Sequence, residues 1–288
     1  MKIAFVGLGT MGAPMARCLK GAGFDVAGWD LGEAARAAVD FCAADMAAAI
    51  EGAEAIITML PAGPDVEAVL DEGLLAALPA GRLLIDCSTI DVDTTRRLAS
   101  RAAQNGHVLL DAPVSGGAEG AGQGALSFMV GGDVEGFERA KPLLEVMGTK
   151  ITHFGASGSG QAAKACHNMI CGITALGVCE AFALADGLGL DAEKFFTLCQ
   201  GAAAQSWVLE NRCPVPGPAP AAPSSNGYAP GFAARLMAKD LGLAQAAAKS
   251  CGQETQFGAQ AAERFAAFAE GGEGDLDFSA IYRTIRKG

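Results

Sequence analysis

Short apolar runs alternate with stretches of helical periodicity through the first half of the chain. The apolar runs that we interpret as β-strands are Ile3–Gly7, Asp25–Asp30, Ala55–Leu60, Arg82–Cys87, His107–Asp111, Ala125–Val130 and Ile151–Phe154. The helical patterns between them are Met11–Lys20, Gly32–Val39, Asp65–Leu70, Val92–Gln104 and Val134–Val146. Nearly continuous apolar strands that alternate with helices are typical of a parallel sheet covered on both faces. We therefore predict a doubly wound α/β domain.

The pattern changes near Gly160. A long alanine-rich helix without proline is predicted over Gln161–Leu188, and no convincing strand follows it. Arg212–Gly231 is crowded with Pro, Gly, Ser and Asn, and a structureless loop of this length is more often functional or disordered. We predict an α/β domain over residues 1–160 and an all-helical domain over residues 161–288, joined by the long helix. The remaining predicted helices are Ala192–Gly201, Ala233–Ser250, Thr255–Ala269 and Phe278–Arg286.

Composition narrows the classes of partner. The formal net charge is −11, and the acidic residues are spread along the chain. A nucleic-acid surface needs clustered Lys and Arg, so we expect no nucleic-acid partner, and local groups must hold any anionic ligand. The first residues are typical of a strand rather than of a signal peptide, and no uninterrupted apolar run reaches the roughly 18–20 residues that span a bilayer. We therefore expect a soluble, cytoplasmic protein with no membrane partner.

The cysteines and histidines do not form a recognisable metal or disulfide pattern. There are nine cysteines, an odd number, without a Cys-x-x-Cys pair. This usage favours free thiols in a reducing compartment over disulfides. His107, His153 and His167 lie far apart without ligand spacing, so we expect no metal site.

A glycine-rich segment directly follows the first strand and begins a helix. Its first glycine permits a tight turn, its second lets the backbone approach a pyrophosphate, and its third allows the helix to pack closely on the strand. The helix N-terminus favours phosphate charge. This context predicts a Rossmann-type dinucleotide site, although a purely structural turn is an alternative. The residues of the segment are Gly7, Leu8, Gly9, Thr10, Met11 and Gly12.

The ends of the following strands supply further candidate cofactor contacts. Asp30 ends the second strand, where a carboxylate can accept hydrogen bonds from the adenosine ribose and repels a 2′-phosphate, which favours NAD over NADP. Leu60 and Pro61 follow the third strand, and Ser88 and Thr89 follow the fourth. Ligands of doubly wound sheets bind outside the carboxyl ends of strands. Taken alone, Pro61 and Thr89 are equally well turn residues or helix caps.

Two later segments are candidates for the chemistry. Backbone N–H groups around Ser115, Gly116 and Gly117 could form an anion-binding concavity, with a plain glycine-rich hairpin as the alternative. Lys164 and Asn168 lie four residues apart and therefore on one face of the predicted long helix. A lysine on such a face more often extends its ammonium into solvent.

Together these motifs resemble the β-hydroxyacid dehydrogenase family over essentially the whole chain, and within it the branch that acts on 3-hydroxyisobutyrate. Gly7–Gly12 is similar to the family's cofactor loop, Asp111–Gly117 to its substrate-carboxylate motif and Gly160–Asn168 to its catalytic motif. The segments more specific to the branch are Pro214–Gly217, Pro223–Tyr228, Gly231–Phe232 and Leu236–Ala244.

The resemblance implies roles for individual residues. Lys164 is implied as the catalytic lysine, with Asn168 beside it in the substrate pocket. Two residues depart from the family pattern. His167, next to Asn168, stands where a second Asn is common, and Asp65 stands where an Asn often lines the cofactor site. The other implied contacts are Ser115, Gly116 and Gly117 to the substrate carboxylate, Trp207 in the pocket, and Thr89, Lys239 and Phe232 at the cofactor.

The implied reaction is the NAD-dependent oxidation of 3-hydroxyisobutyrate to methylmalonate semialdehyde, a step of valine catabolism, by a homodimer or homotetramer. Lys164 would take the hydroxyl proton while hydride leaves for the nicotinamide. Desolvation and the positive ring of NAD⁺ would favour the neutral amine, and no metal is required. The alternatives are a reductase of tartronate or succinic semialdehyde, another small 3-hydroxy acid dehydrogenase and a non-catalytic NAD-binding sensor. An imine reductase is disfavoured because those relatives usually replace the lysine.

Overall fold

The computed structural model describes residues 1–75 and 77–286. The chain divides into two compact units, Met1–Lys164 and Ala165–Gly288. The first combines a sheet with flanking helices and the second is built from helices, so the predicted fold class is confirmed.

The first unit contains one eight-stranded sheet. Its first five strands run parallel in the spatial order β2-β1-β3-β4-β5, with β1 inside and crossovers to both sides. This order is the doubly wound arrangement, in which the carboxyl ends of the strands share one edge. The strands are β1 Lys2–Val6, β2 Asp25–Trp29, β3 Ala55–Thr58, β4 Leu83–Asp86, β5 Val108–Asp111, β6 Val114–Ser115, β7 Leu126–Gly131 and β8 Gly148–Gly155.

The prediction of a parallel sheet is wrong beyond β5. Strand β7 is antiparallel to β5 and to the unpredicted β6, and β8 returns parallel to β7. Strands β5 and β6 meet β7 in the same register, as two pieces of one strand interrupted at Ala112-Pro113. Proline has no N–H to donate to a ladder, and Pro113 contributes its carbonyl instead, which accepts from the N–H of Met129 at 3.0 Å. A two-residue strand is too short to be recognised from alternation.

Helices of the first unit cover both faces of the sheet. Several begin at an aspartate whose carboxylate accepts backbone N–H groups, as Asp91 does for Thr94 and Asp133 does for Glu135 and Gly136. The helices are α1 Gly12–Gly21, α2 Glu33–Ala37, α3 Met46–Ile50, α4 Gly63–Glu67, α5 Val92–Gln104, α6 Gly117–Gln123 and α7 Val134–Met147, and a π-helical segment, Ala68–Leu74, continues α4. Helices α3 and α6 were not predicted. In α6 three glycines hide the helical pattern, and Gly124 ends the helix in a left-handed conformation.

The sheet separates two apolar cores. Ile3 and Phe5 of β1 pack into one core, while Ala4 and Val6, the alternate residues, pack into the other. Strands buried on both faces leave polar side chains only at their ends. The candidate site therefore depends on the residues at the carboxyl ends of these strands.

The second unit packs its helices around a separate apolar core that includes Phe182, Phe265 and Phe278. Helix α8, Ser159–Gly187, begins in the first unit, and the division between the units falls within it, after Lys164. The other helices are α9 Ala192–Cys199, α10 Trp207–Asn211, α11 Ala234–Ser250, α12 Gln256–Phe268 and α13 Tyr282–Ile285, with a π-helical segment Ala269–Glu273 and 3₁₀ turns Pro223–Asn226 and Phe278–Ile281.

Arg212–Gly231 is a loop, as predicted, with one short 3₁₀ turn within it. The segment contains the 3₁₀ turn and bonds to itself: the Ser224 hydroxyl donates to the Cys213 carbonyl at 2.6 Å, and the Tyr228 hydroxyl donates to the Pro214 carbonyl at 2.7 Å. Short polar side chains satisfy the backbone here, so proline and glycine content alone does not indicate disorder. All nine cysteines are free.

Helix α8 also corrects the expectation that no segment could span a bilayer. Its 29 residues include an 18-residue window of mean hydropathy 1.6, which is long and apolar enough by length and composition. One such helix is weak evidence for a membrane span, because core helices of soluble proteins meet the same criterion.

Candidate active site

The glycines of the first loop meet different steric demands. Gly7 has φ +96°, and a Cβ there would lie 2.2 Å from the Met59 carbonyl oxygen. A Cβ on Gly12 would lie 1.9 Å from the Gly7 carbonyl oxygen. A Cβ on Gly9 would meet nothing within 4 Å. The outer glycines therefore permit close packing, while the middle one leaves the loop open to a ligand, which is what a dinucleotide requires.

Asp30 is tied to this loop. Its carboxylate accepts from the N–H of Leu8 at 2.6 Å and from the N–H of Gly32 at 2.7 Å. The guanidinium of Arg36 donates to the carbonyls of Asp30 and Leu31. These bonds place a carboxylate beside the glycine-rich turn.

Buried hydrogen bonds join the ends of β3 and β4. The Thr58 hydroxyl donates to the Asp86 carboxylate at 2.8 Å, and the Ser88 N–H donates to the same oxygen at 3.1 Å. The Ser88 hydroxyl accepts from the N–H of Leu60 at 2.9 Å. The predicted cofactor contact Leu60 is therefore bonded to Ser88, the residue that precedes the predicted contact Thr89. Asp86 was not predicted, although a carboxylate that ends the apolar run Leu83–Asp86 was a usable signal.

Asp111, which ends β5, binds the beginning of α8. Its buried carboxylate accepts from the N–H of Gly158 at 2.8 Å and from the N–H of Gln161 at 2.9 Å. Within the motif Asp111–Gly117, this residue thus caps a helix. Burial raises the pKa of both Asp86 and Asp111, hydrogen bonds lower it, and the charge of Asp111 further raises the pKa of Asp86.

The predicted lysine lies in the first turns of α8. Lys164 is 7% exposed and Asn168 is also buried, so the side chain of Lys164 does not extend into solvent. Gln161, one turn earlier, is buried as well: its Nε2 donates to the Ser88 carbonyl at 2.8 Å and its Oε1 accepts from the N–H of Ile90 at 3.2 Å. Sequence reasoning missed Gln161.

The segment around Ser115 turns sharply from strand into helix. Ser115, in β6, pairs with Ser127 of β7. The next residues, Gly116 and Gly117, have φ +138° and +63°. Only glycine adopts two such conformations in succession easily. The predicted hairpin gives way to a strand–glycine–helix turn that begins α6, and the anion-binding concavity at these residues stays a prediction.

A polar cluster in the second unit surrounds Asn168. Its Nδ2 donates to the Asp240 carboxylate at 2.5 Å, and Nδ1 of His167 lies 2.9 Å from its Oδ1. The ammonium of Lys239 lies 3.4 Å from the other oxygen of Asp240. The family departure His167 therefore supplies a hydrogen-bonding partner to Asn168. Sequence reasoning missed Asp240.

The two predicted aromatic contacts are linked through Arg212 and Asp277. The Arg212 guanidinium lies 4.9 Å from the ring centroid of Trp207, which is 55% exposed. Buried Asp277 lies 3.3 Å from Nε of Arg212 and accepts from the N–H groups of Gly231 and Phe232. The second unit thus connects Trp207 and Phe232. In the first unit, Asp65 is exposed in α4.

Two family models together match nearly the whole chain. Residues 2–155 match the model for the NAD binding domain of 6-phosphogluconate dehydrogenase. Residues 158–285 match the model for the NAD-binding of NADP-dependent 3-hydroxyisobutyrate dehydrogenase. The second match contains all of α8, which assigns that helix to a dehydrogenase fold rather than to a membrane span.

Full-length relatives are similar to the whole chain. It is 48% identical to the 3-hydroxyisobutyrate dehydrogenase of Pseudomonas aeruginosa, covering 99% of this chain and 98% of the relative. It is 42% identical to the NAD-dependent L-serine dehydrogenase of the same organism, at 99% and 97% coverage. Among solved structures, the Mycobacterium tuberculosis 3-hydroxyisobutyrate dehydrogenase with L-serine has a TM-score of 0.93 at 44% identity, with 99% of both chains covered.

The buried carboxylate pair predicts a pH effect on stability. Because the folded-state pKa of Asp86 is raised above its ordinary 3.8, its contribution to stability is fully present below that value and is lost as pH rises through the folded-state pKa. In Asp86→Asn the amide oxygen can still accept from Thr58 and Ser88. Because asparagine does not ionise, the variant does not lose this stability as pH rises. In urea unfolding, the midpoint of the variant minus that of wild type should increase from about pH 4 upward. Asp275→Asn, at an exposed ion pair, is the control. Urea midpoints of Asp86→Asn and wild type that differ by the same amount at every pH would contradict this pH dependence.

Proposed function

Because the chain belongs to the 3-hydroxyisobutyrate dehydrogenase family, we propose that it oxidises 3-hydroxyisobutyrate to methylmalonate semialdehyde with NAD. The observation that carries the proposal is the buried position of Lys164 on α8, in a chain that also has an open dinucleotide loop. The branch-specific segments after Pro214 and the full-length similarity to relatives of that name support the substrate. In a cell this reaction would serve valine catabolism.

We assign a main role to each part of the chain. Residues 1–160 supply most of the contacts to NAD, and residues 161–288 supply Lys164, Asn168 and Trp207 for the substrate, together with the subunit contacts. A homodimer or homotetramer in the cytoplasm and a small anionic 3-hydroxy acid as substrate complete the proposal. With a net charge of −11, the protein must bind this anion through local groups.

The residues fit NAD. The space over Gly9 admits a pyrophosphate, the first turn of α1 contains no acidic residue that would repel it, and Asp30 is suited to the ribose. Bound NAD⁺ supplies the hydride acceptor. The residues that would hold it are Gly7, Leu8, Gly9, Thr10, Met11, Gly12, Asp30, Leu60, Pro61, Thr89, Phe232 and Lys239.

The chain's own residues then bind the substrate and move a proton. The backbone N–H groups of Gly116 and Gly117 and the hydroxyl of Ser115 hold the substrate carboxylate, and Trp207 borders the pocket. Lys164 Nζ accepts the proton of the substrate hydroxyl during oxidation and returns it during reduction. Asn168, fixed by Asp240, orients the hydroxyl beside the lysine.

L-serine is a second candidate substrate. The chain is 42% identical to an NAD-dependent L-serine dehydrogenase, and the structural neighbour with a TM-score of 0.93 was solved with L-serine. Serine is also a 3-hydroxy acid, with an ammonium group in place of the methyl group of 3-hydroxyisobutyrate. The same carboxylate and hydroxyl contacts would serve both molecules.

A substrate panel tests the proposal. The rates are measured from the absorbance of the reduced cofactor, with 3-hydroxyisobutyrate, L-serine and other 3-hydroxy acids as substrates and with NAD or NADP as cofactor. We expect the highest kcat/KM for 3-hydroxyisobutyrate with NAD. A higher kcat/KM for L-serine would select the second candidate. Faster reduction of tartronate or succinic semialdehyde would select the reductase alternative. NAD binding without turnover on any compound would indicate a sensor.

Replacing Asp30 tests cofactor choice. Asp30→Ala removes the carboxylate that favours the ribose and repels a 2′-phosphate, so the ratio of kcat/KM with NAD to that with NADP should fall. Asp40→Ala, at an exposed ion pair with Lys20, is the matched control and should leave the ratio unchanged. Asp30 also accepts the N–H of Leu8. An equal fall in kcat/KM with NAD and with NADP would therefore mean that Asp30 only maintains the conformation of the loop. A wild-type preference for NADP would refute the assignment outright.

Replacing Lys164 tests the proton transfer. Positioned acid–base groups contribute about 10²–10⁴-fold, so Lys164→Ala should lower kcat by that order while NAD binding and folding survive. Lys164→Arg should also be slow, because a guanidinium stays protonated. The wild-type oxidation rate should rise with pH through an ionisation that is absent in Lys164→Ala.

Lys249→Ala, at an exposed position near the end of α11, is the matched control for Lys164→Ala and should retain wild-type kcat. Near-normal turnover by folded, NAD-binding Lys164→Ala would assign the proton to another group.

A further inference from the structure

Gln161 is a buried side chain to which the proposed reaction gives no role. It is 1% exposed, and both ends of its amide are bonded to one short segment. Nε2 donates to the Ser88 carbonyl at 2.8 Å, and Oε1 accepts from the N–H of Ile90 at 3.2 Å. The two bonds lie on either side of Thr89, a proposed cofactor contact. The amide therefore fixes the backbone on both sides of that residue.

The backbone of Gln161 is itself tightly held. Its N–H donates to the Asp111 carboxylate at 2.9 Å, and the N–H of Gly158 donates to the other oxygen. A Cβ on Gly160 would lie 2.3 Å from the Met129 carbonyl oxygen and 2.7 Å from that of Asp111, so the first turn of α8 contacts the backbones of β5 and β7 directly. A side chain on so fixed a backbone can transmit the position of the helix to another segment.

The same turn of α8 leads to Lys164. Gln161 and Lys164 are three residues apart, which places them as neighbours on the helix surface. On the other side, Ser88 continues the connection, because its hydroxyl accepts from the N–H of Leu60 at the end of β3. The hydrogen bonds of Gln161 and Ser88 thus join the turn of α8 that bears the proposed proton acceptor to two segments of the proposed cofactor edge.

The cost of burying an amide favours a specific role for Gln161 over simple packing. Burying an amide is unfavourable unless its donors and acceptor are bonded, and a leucine could fill a similar volume without that requirement. What the amide adds is direction, since a planar group bonded at both ends holds its partners at fixed distances.

We propose that Gln161 is a positioning residue, which fixes the segment Ser88–Ile90 relative to the turn of α8 that bears Lys164. It thereby sets the position of the cofactor relative to the substrate carbon that gives the hydride, while Lys164 receives the hydroxyl proton. This inference rests on the proposed function. A misplacement of about 1 Å in such an arrangement costs on the order of 10²-fold in rate, without a loss of binding contacts.

Two variants separate direction from volume. Gln161→Leu keeps the size of the side chain and removes both hydrogen bonds. Gln161→Glu keeps an acceptor for the N–H of Ile90 but faces the Ser88 carbonyl with a second acceptor. Both should lower kcat by about 10–100-fold with the better substrate of the panel, while the KM values for NAD and substrate change by less than about 3-fold.

The decisive readout is the primary deuterium isotope effect on kcat, measured with substrate deuterated at the carbon that bears the hydroxyl. If Gln161 positions the reacting groups, hydride transfer slows in Gln161→Leu and the isotope effect increases. If it only stabilises the fold, fewer molecules are active, so kcat falls with the stoichiometry of NADH binding and the isotope effect stays at the wild-type value. Gln245→Leu, at a partly buried glutamine of α11 that accepts from the Thr255 hydroxyl, is the matched control with no expected change in isotope effect.

Each outcome decides between the proposals. Lower kcat with a raised isotope effect in Gln161→Leu supports the positioning role. Wild-type kcat and isotope effect in the folded variant overturn it, and so does a loss of activity that only follows NADH stoichiometry. An active wild-type enzyme with an unaffected variant overturns this inference alone. A wild-type protein without turnover on any panel substrate overturns the proposed function, and the inference with it.

Discussion

The bond between the Asp111 carboxylate and the first N–H groups of α8 is the constraint on which the rest of the site depends. A carboxylate buried at the end of β5 would be destabilising in isolation, but a helix N-terminus offers unpaired N–H groups and the positive end of the helix dipole. Two N–H groups, those of Gly158 and Gln161, meet this carboxylate. The sheet thereby fixes the point at which α8 begins. The buried Lys164 follows within two turns, so its position is a consequence of this bond.

The same principle organises the carboxyl edge of the sheet. Because strand interiors fill two apolar cores, only strand-end residues are available for polar contacts, and here they bond to one another. Asp86 accepts from Thr58 and Ser88, and Ser88 in turn contacts Leu60 and Gln161. Buried polar networks are stabilising only when their members are satisfied, and a satisfied network has few alternative arrangements. An edge held in this way is rigid before any ligand binds, which is what a dinucleotide site needs for catalysis.

Local pattern accounted for much of the fold and for less of the site. Strands β1 to β5 and helix α5 follow from apolar periodicity, and the steric demands at Gly7 and Gly12 follow from the spacing of the first loop. Strand β6 escaped because it has two residues after a proline, and α6 because glycines occupy its helical positions. Thr58 lies 28 residues from Asp86, and the partners of Asp111 and Gln161 lie 47 to 73 residues away along the chain. No local spacing encodes such pairs. The role given to Lys164 came from family resemblance, whereas its burial is a property of the folded chain.

Buried carboxylates also reconcile an acidic protein with anionic ligands. Asp240 and Asp277 in the second unit lie beside Lys239 and Arg212, whose charges match theirs. In the first unit, burial raises the pKa of Asp111 and so disfavours its charge. A charge compensated at hydrogen-bond distance has little field a few ångströms away, and exposed acids are screened by salt. What remains to act on a phosphate or a carboxylate is the nearby set of backbone N–H groups, hydroxyls and lysines. The net charge of −11 therefore describes the surface, while the local groups set the potential at the proposed site.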